Sequence, residues 1–151
     1  MSTDRNDLPH ITVATVVERD GQFLMVKEKS GHSVVYNQPA GHVEANEGLL
    51  EAALRETLEE TGWAVELTDL LGIYHYTSPA NKVTYIRHCF IAKALHRDAQ
   101  AALDPDIIAA MWLNEEEIRD LSEQLRSPIV IKAIDHYLEG IRFPLSLIHD
   151  A

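Results

Sequence analysis

The sequence predicts an α/β domain of the α+β type, a mixed β-sheet with helices on its faces. Three observations carry this. Short runs rich in β-branched residues are interspersed with amphipathic, helix-length runs. At 151 residues the chain forms one domain, 1–151, large enough to bury a sizeable core without disulfides. With 46% hydrophobic and 25% charged residues and no repeat, linker or low-complexity stretch, nothing marks it as fibrous or disordered.

Residues 1–9 read as a polar tail. Residues 11–17, ITVATVV, form a buried strand, and Arg19-Asp20-Gly21-Gln22 turns it into a second strand over 23–26. Lys27 and Lys29 flank Glu28, and residues 30–33 form a loop. Residues 34–36 predict a short strand stopped by Pro39. Asn46 predicts the N-cap of a helix over 47–61, closed by Gly62. Residues 63–67 and 70–76 read as strand broken near Asp69, and a turn at 78–82 leads to a returning strand over 83–95. An acidic loop over 96–105 and a short strand at 111–113 follow. Asn114 with Glu117 is a capping box for a helix to about Leu121, and Pro128 starts a last helix that Gly140 ends.

Charge and composition exclude several functions. A net charge of −11 argues against a protein that binds nucleic-acid backbones, though a small polyanion held with a divalent cation remains compatible. The single cysteine, Cys89, cannot form an internal disulfide and suits buried packing. The tail has no apolar signal core and no run is long enough to span a membrane, so a cytoplasmic enzyme or binding protein is expected.

The chemistry concentrates in residues 41–63, GHVEANEGLLEAALRETLEETGW. On the predicted helix, Glu56, Glu59 and Glu60 stand at i, i+3 and i+4 within an arc of roughly 100°. Leu50, Ala53, Leu54, Thr57 and Thr61 form a second row, expected to pack on the sheet. Glu47, Glu51 and Arg55 form a third, with Glu51 and Arg55 in the favourable acid-first order. Read alone, the acidic row is a solvated face or a cation site. Screened from water, each carboxylate pair would repel by roughly 3 kcal/mol at an effective dielectric of 20. A hard cation with oxygen ligands, such as magnesium, relieves that, and Gly41 lets a backbone carbonyl approach.

Position by position, the stretch resembles the Nudix box: Gly41, five residues, Glu47, seven residues, Arg55-Glu56, Thr57, one residue, Glu59-Glu60, one residue, Gly62-Trp63. Thr57 departs from the usual aliphatic residue, its methyl expected to face the sheet. Residues 36–42, 125–128 and 142–145 are similar to the bacterial NudJ-type phosphatases of that family. The resemblance implies the Nudix fold, with a mixed sheet sandwiched between helices. It also implies Mg2+, or Mn2+, held by Glu56, Glu59, Glu60 and the Gly41 carbonyl, with Glu47 and Arg55 orienting the cluster. Water would attack phosphorus with metal assistance, Glu56 or Glu60 serving as base. Asp106, with Asp104 beside it, is where the family often adds an acid. Arg87, then Lys27 and Lys29, are the expected phosphate contacts, and Tyr36, Tyr74 and Tyr76 the expected rings against a base.

The substrates so implied are nucleoside tri- and diphosphates that release orthophosphate, and the thiamine-pathway hydroxymethylpyrimidine pyrophosphate. ADP-ribose or oxidised dNTPs are the alternative substrates. A nucleotide-binding module without catalysis is the alternative class, disfavoured by the intact acids. A monomer is expected, with a weak dimer as the alternative.

Overall fold

The computed structural model describes residues 7–151, so residues 1–6 of the expected tail lie outside the described residues. Strand β1 (His10–Arg19) is the axis of a mixed sheet. Asp20 (φ 52°) and Gly21 (φ 81°) make the left-handed turn that a two-residue hairpin requires, leading to β2 (Gln22–Ser30). β2 leaves β1 almost at once, pairing only at Glu18 and Arg19. It is flanked instead by β3 (Ser33–Asn37) and β7 (Ile107–Asn114), both antiparallel. The edge of β1 thus vacated takes β4 (Ala40–His42), which pairs Ala14 with Ala40 and Val13 with Gly41. On its other side β1 runs parallel to β6 (Thr84–Arg97), which pairs antiparallel with β5 (Trp63–Thr77).

Alternation along β1 divides the core. Val13 and Phe90 join Ala52, Ala53 and Leu70 under helix α1 (Leu49–Thr61). Ala14, Val16, Cys89 and Ile91 face the opposite way, toward Phe23, Met25 and helix α3 (Ile129–Leu138). The short α2 (Glu115–Asp120) has the expected capping box, Asn114 accepting from the Glu117 N–H and donating to its carboxylate. Among the described residues, no helix is long and apolar enough to cross a membrane.

Several element boundaries differ from expectation. α1 begins at Leu49 with Gly48 as N-cap; Asn46 instead takes a left-handed turn (φ 63°) that re-aims Glu47. Pro128 is the N-cap of α3 rather than its first residue. β5 is one continuous strand, which absorbs its irregularity near Asp69 as bulges. Ala40 and Gly41, to which the sequence reading assigns no strand, form β4 with His42 because β1 offers them an unpaired edge.

The faces of α1 differ too. Leu54 is 40% exposed, whereas Glu60 is only 7% exposed. On the helical wheel Glu60 lies about 20° from Ala53, so the acidic row is the leading edge of the buried face and not a separate one. Thr57 does more than present a methyl: its hydroxyl donates to the Ala53 carbonyl and therefore accepts from Thr15, at 2.8 Å. Both threonines are fully buried. Thr57→Val is thus expected to strand the Thr15 hydroxyl and cost about 1–3 kcal/mol in denaturant unfolding. Adding Thr15→Val should recover part of that loss.

Candidate active site

The end of α1, strand β4 and the segment before β7 converge on one acidic centre. Carboxylate oxygens of Glu56, Glu60 and Asp104 all lie within 4.8 Å of one another. Three contacts build it. The Ala40 N–H, set by the pairing of β4 to β1, donates to Glu60 Oε1 at 2.8 Å. A Cβ on Gly41 would overlap the Glu56 carboxylate, so only glycine lets helix and strand approach this closely. The Asp104 N–H donates to the Glu59 carbonyl at 3.0 Å, which fastens the incoming segment to the helix end.

Arg55 braces the cluster from outside. Its Nε and Nη2 clamp the Glu47 carboxylate at 2.6 and 2.9 Å. Its Nη1 donates to Glu56 at 2.8 Å and Glu59 at 3.1 Å, and Nη2 also reaches the His42 carbonyl. Because Glu47 lies in the loop before the helix, this clamp ties loop to helix. Glu51, expected to pair with Arg55, points to solvent. The Arg55 hydrogen bond holds the Glu47 carboxyl down at about 2. Burial pushes Glu56 up, against the pull of Arg55. Burial pushes Glu60 further, to about 9, with Glu28, Glu56 and Asp104 adding to the shift.

Carboxylates packed this way repel one another and favour protons unless a cation is present. An all-oxygen donor set of this kind fits a hard divalent ion. Glu59, 44% exposed and drawn aside by Arg55, is outside the close cluster but adjacent to it.

Residues 8–133 match the NUDIX domain. The chain belongs to the Nudix hydrolase family. It is 39% identical over 142 residues to proteins named Phosphatase NudJ from Escherichia coli (strain K12) and Shigella flexneri, covering 94% of this chain and 92% of theirs. A NUDIX hydrolase from Nitrosomonas europaea superposes with a TM-score of 0.93 at 39% identity, covering 95% of this chain and 98% of that one.

In this Nudix hydrolase four of the residues expected to touch substrate form two neighbouring pairs: Tyr74 faces Arg87 across β5 and β6, and Lys27 faces Tyr36 across β2 and β3. Arg87 is 7% exposed and donates to Asn37 and Gln38, so protein groups already occupy part of its guanidinium. Tyr74 is also buried, and its hydroxyl contacts His136 Nδ1 at 2.7 Å. Lys27 packs its ammonium over the half-buried Tyr36 ring, 5.9 Å from the centroid. Asp106 is exposed; its carbonyl accepts the Lys29 N–H, while Asp104 joins the glutamates.

Sequence reading missed Glu28, which is 7% exposed and held by Asn37 and Arg126. Standing between two lysines on a strand, Glu28 carried no signal of burial. Its amide donor comes from β3 and its countercharge from a segment 98 residues away.

The raised Glu60 carboxyl has a measurable consequence. The folded chain holds a proton that the unfolded chain releases near 4.5. This contribution to stability is complete below 4.5 and is lost as pH rises toward about 9. In chelator, thermal melts of the wild type should fall across that window. Glu60→Gln should flatten the slope, and Mg2+ should raise the alkaline wild-type melt.

Proposed function

We propose that this Nudix hydrolase cleaves the terminal phosphoanhydride of nucleoside tri- and diphosphates with release of orthophosphate, and acts likewise on hydroxymethylpyrimidine pyrophosphate. The observation that carries the reading is the Glu56–Glu60–Asp104 cluster. Near full-length similarity to proteins named as phosphatases supports orthophosphate as the product. Glu56, Glu59, Glu60 and the Gly41 carbonyl would hold Mg2+ or Mn2+, with Asp104 completing the oxygen set. The bound cation supplies charge neutralisation on phosphate oxygens and a more acidic water.

The chain's own residues do the rest. Arg55 and Glu47 hold the helix end against the β4 loop, so the carboxylates keep their spacing as substrate enters. The water oxygen bonds to the terminal phosphorus, the P–O anhydride bond breaks, and the shortened nucleotide leaves. Glu56 or Glu60 takes the water's proton. Arg87, Lys27, Tyr36, Tyr74 and Asp106 are proposed to shape the substrate's surroundings, Arg87 and Tyr74 from within the core. The reaction is assigned to a monomer in the cytoplasm acting on small-molecule phosphates.

A panel of nucleoside tri- and diphosphates, hydroxymethylpyrimidine pyrophosphate, ADP-ribose and oxidised dNTPs tests this, with Mg2+ or Mn2+ present. Orthophosphate and pyrophosphate are scored separately. Orthophosphate from the first three is the expected result. Pyrophosphate from oxidised dNTPs, or selective cleavage of ADP-ribose, would move the assignment to the alternative substrates. Inertness throughout would leave a binding module.

A further inference from the structure

The chain has two tryptophans, and the fold brings both to one cavity beside the C-terminal end of α1. The cavity measures about 370 Å3, within the roughly 300–1,000 Å3 of small-molecule sites. Trp63 and Trp112 meet edge to face with centroids 5.5 Å apart. The Arg19 guanidinium carbon lies 4.8 and 4.4 Å from the two ring centroids. Arg97 lines the same wall. Among the described residues neither Arg19 nor Arg97 makes an ion pair. On a chain of net charge −11, this lining gathers two guanidiniums and two indoles with Asp98 as its one acid.

We infer that this cavity is a second nucleotide site, separate from the acidic cluster. The tryptophan faces suit a planar base, and the guanidiniums suit a phosphate. Asp98, the acid of the lining, accepts the Gln100 N–H through Oδ1 and offers its other oxygen to a ribose hydroxyl.

The site is joined to the catalytic centre by one strap. Asp98, Ala99, Ala101 and Leu103 line the cavity, and the next residue, Asp104, belongs to the acidic cluster. The strap is tied to the helix end at Gly62 and Glu59, through the Asp98 N–H (2.8 Å) and the Asp104 N–H (3.0 Å). Occupancy of the cavity bears on the segment that positions Asp104.

The test is a fluorescence titration of the full chain with AMP in chelator, both indoles serving as reporters. It needs no hydrolysis, so it stands or falls apart from the proposed activity. A saturable change is expected, weakened at least about tenfold by Arg97→Ala and by Arg19→Ala, the loss of one charge-assisted contact. Lys93→Ala removes the same charge outside the cavity and should leave affinity unchanged. No saturable change at millimolar AMP, or affinity unaffected by either arginine variant, overturns the site. Equal weakening by Lys93→Ala overturns it as well, since general charge would then explain the binding. In the hydrolysis assay AMP should alter kcat in the wild type and not in Arg97→Ala; an unaltered wild-type kcat overturns the coupling through the strap.

Discussion

Glu56→Gln is expected to lower kcat by more than about a hundredfold, roughly 2.7 kcal/mol of lost transition-state stabilisation, with the fold retained. The substitution keeps the side-chain shape that fits against Gly41, and its amide oxygen still accepts from Arg55, at 2.8 Å in the wild type. What it removes is charge at a carboxylate within 4.8 Å of Glu60 and Asp104. Circular dichroism and the chelated melting temperature should therefore match wild type, while the stabilisation by Mg2+ disappears. Glu59→Gln is the informative companion, because Glu59 is 44% exposed and outside the close cluster. A full loss of turnover there would mean that Glu59 leaves Arg55 to join the donor set. Near-normal turnover in Glu56→Gln would remove that residue from the proposed metal centre.

Arg55→Ala should damage both stability and turnover. One guanidinium is shared by Glu47, Glu56, Glu59 and the His42 carbonyl. Glu47 is 7% exposed and Arg55 21%, so the pair is mostly shielded. Removing the cation leaves Glu47 unpaired at a cost of about 2–4 kcal/mol, somewhat below the value for a fully buried pair. Turnover should drop a further roughly 10–100-fold, because the residues that orient the proposed ligands are loosened. Arg55→Lys keeps the charge but cannot clamp Glu47 through two nitrogens while reaching Glu56 and the His42 carbonyl. It should rescue stability better than turnover. Urea unfolding beside kcat measurements separates the two effects, and equal rescue of both would show that charge alone suffices.

The resemblance in residues 41–63 was readable because its determinants are local. Glycines, charges and helix formers at set spacings define a loop, a helix and a carboxylate row whatever they pack against. The same holds for the Asp-Gly hairpin and the Asn114–Glu117 capping box, whose partners lie within a few residues of each other. From the sequence alone came the fold class and the family. Tertiary structure decided which faces are buried and which residues meet. Glu60 sits inside the packed face of α1 because the β4 edge supplies a backbone donor, which helical periodicity cannot reveal. Asp104, and not its neighbour Asp106, reaches the glutamates because its N–H is caught by the helix end at Glu59. Arg87 is buried where Asn37 and Gln38, 50 and 49 residues away, accept from two of its nitrogens. Contacts over such separations leave no period in the chain, since they depend on how strands pair and not on what lies next along the sequence.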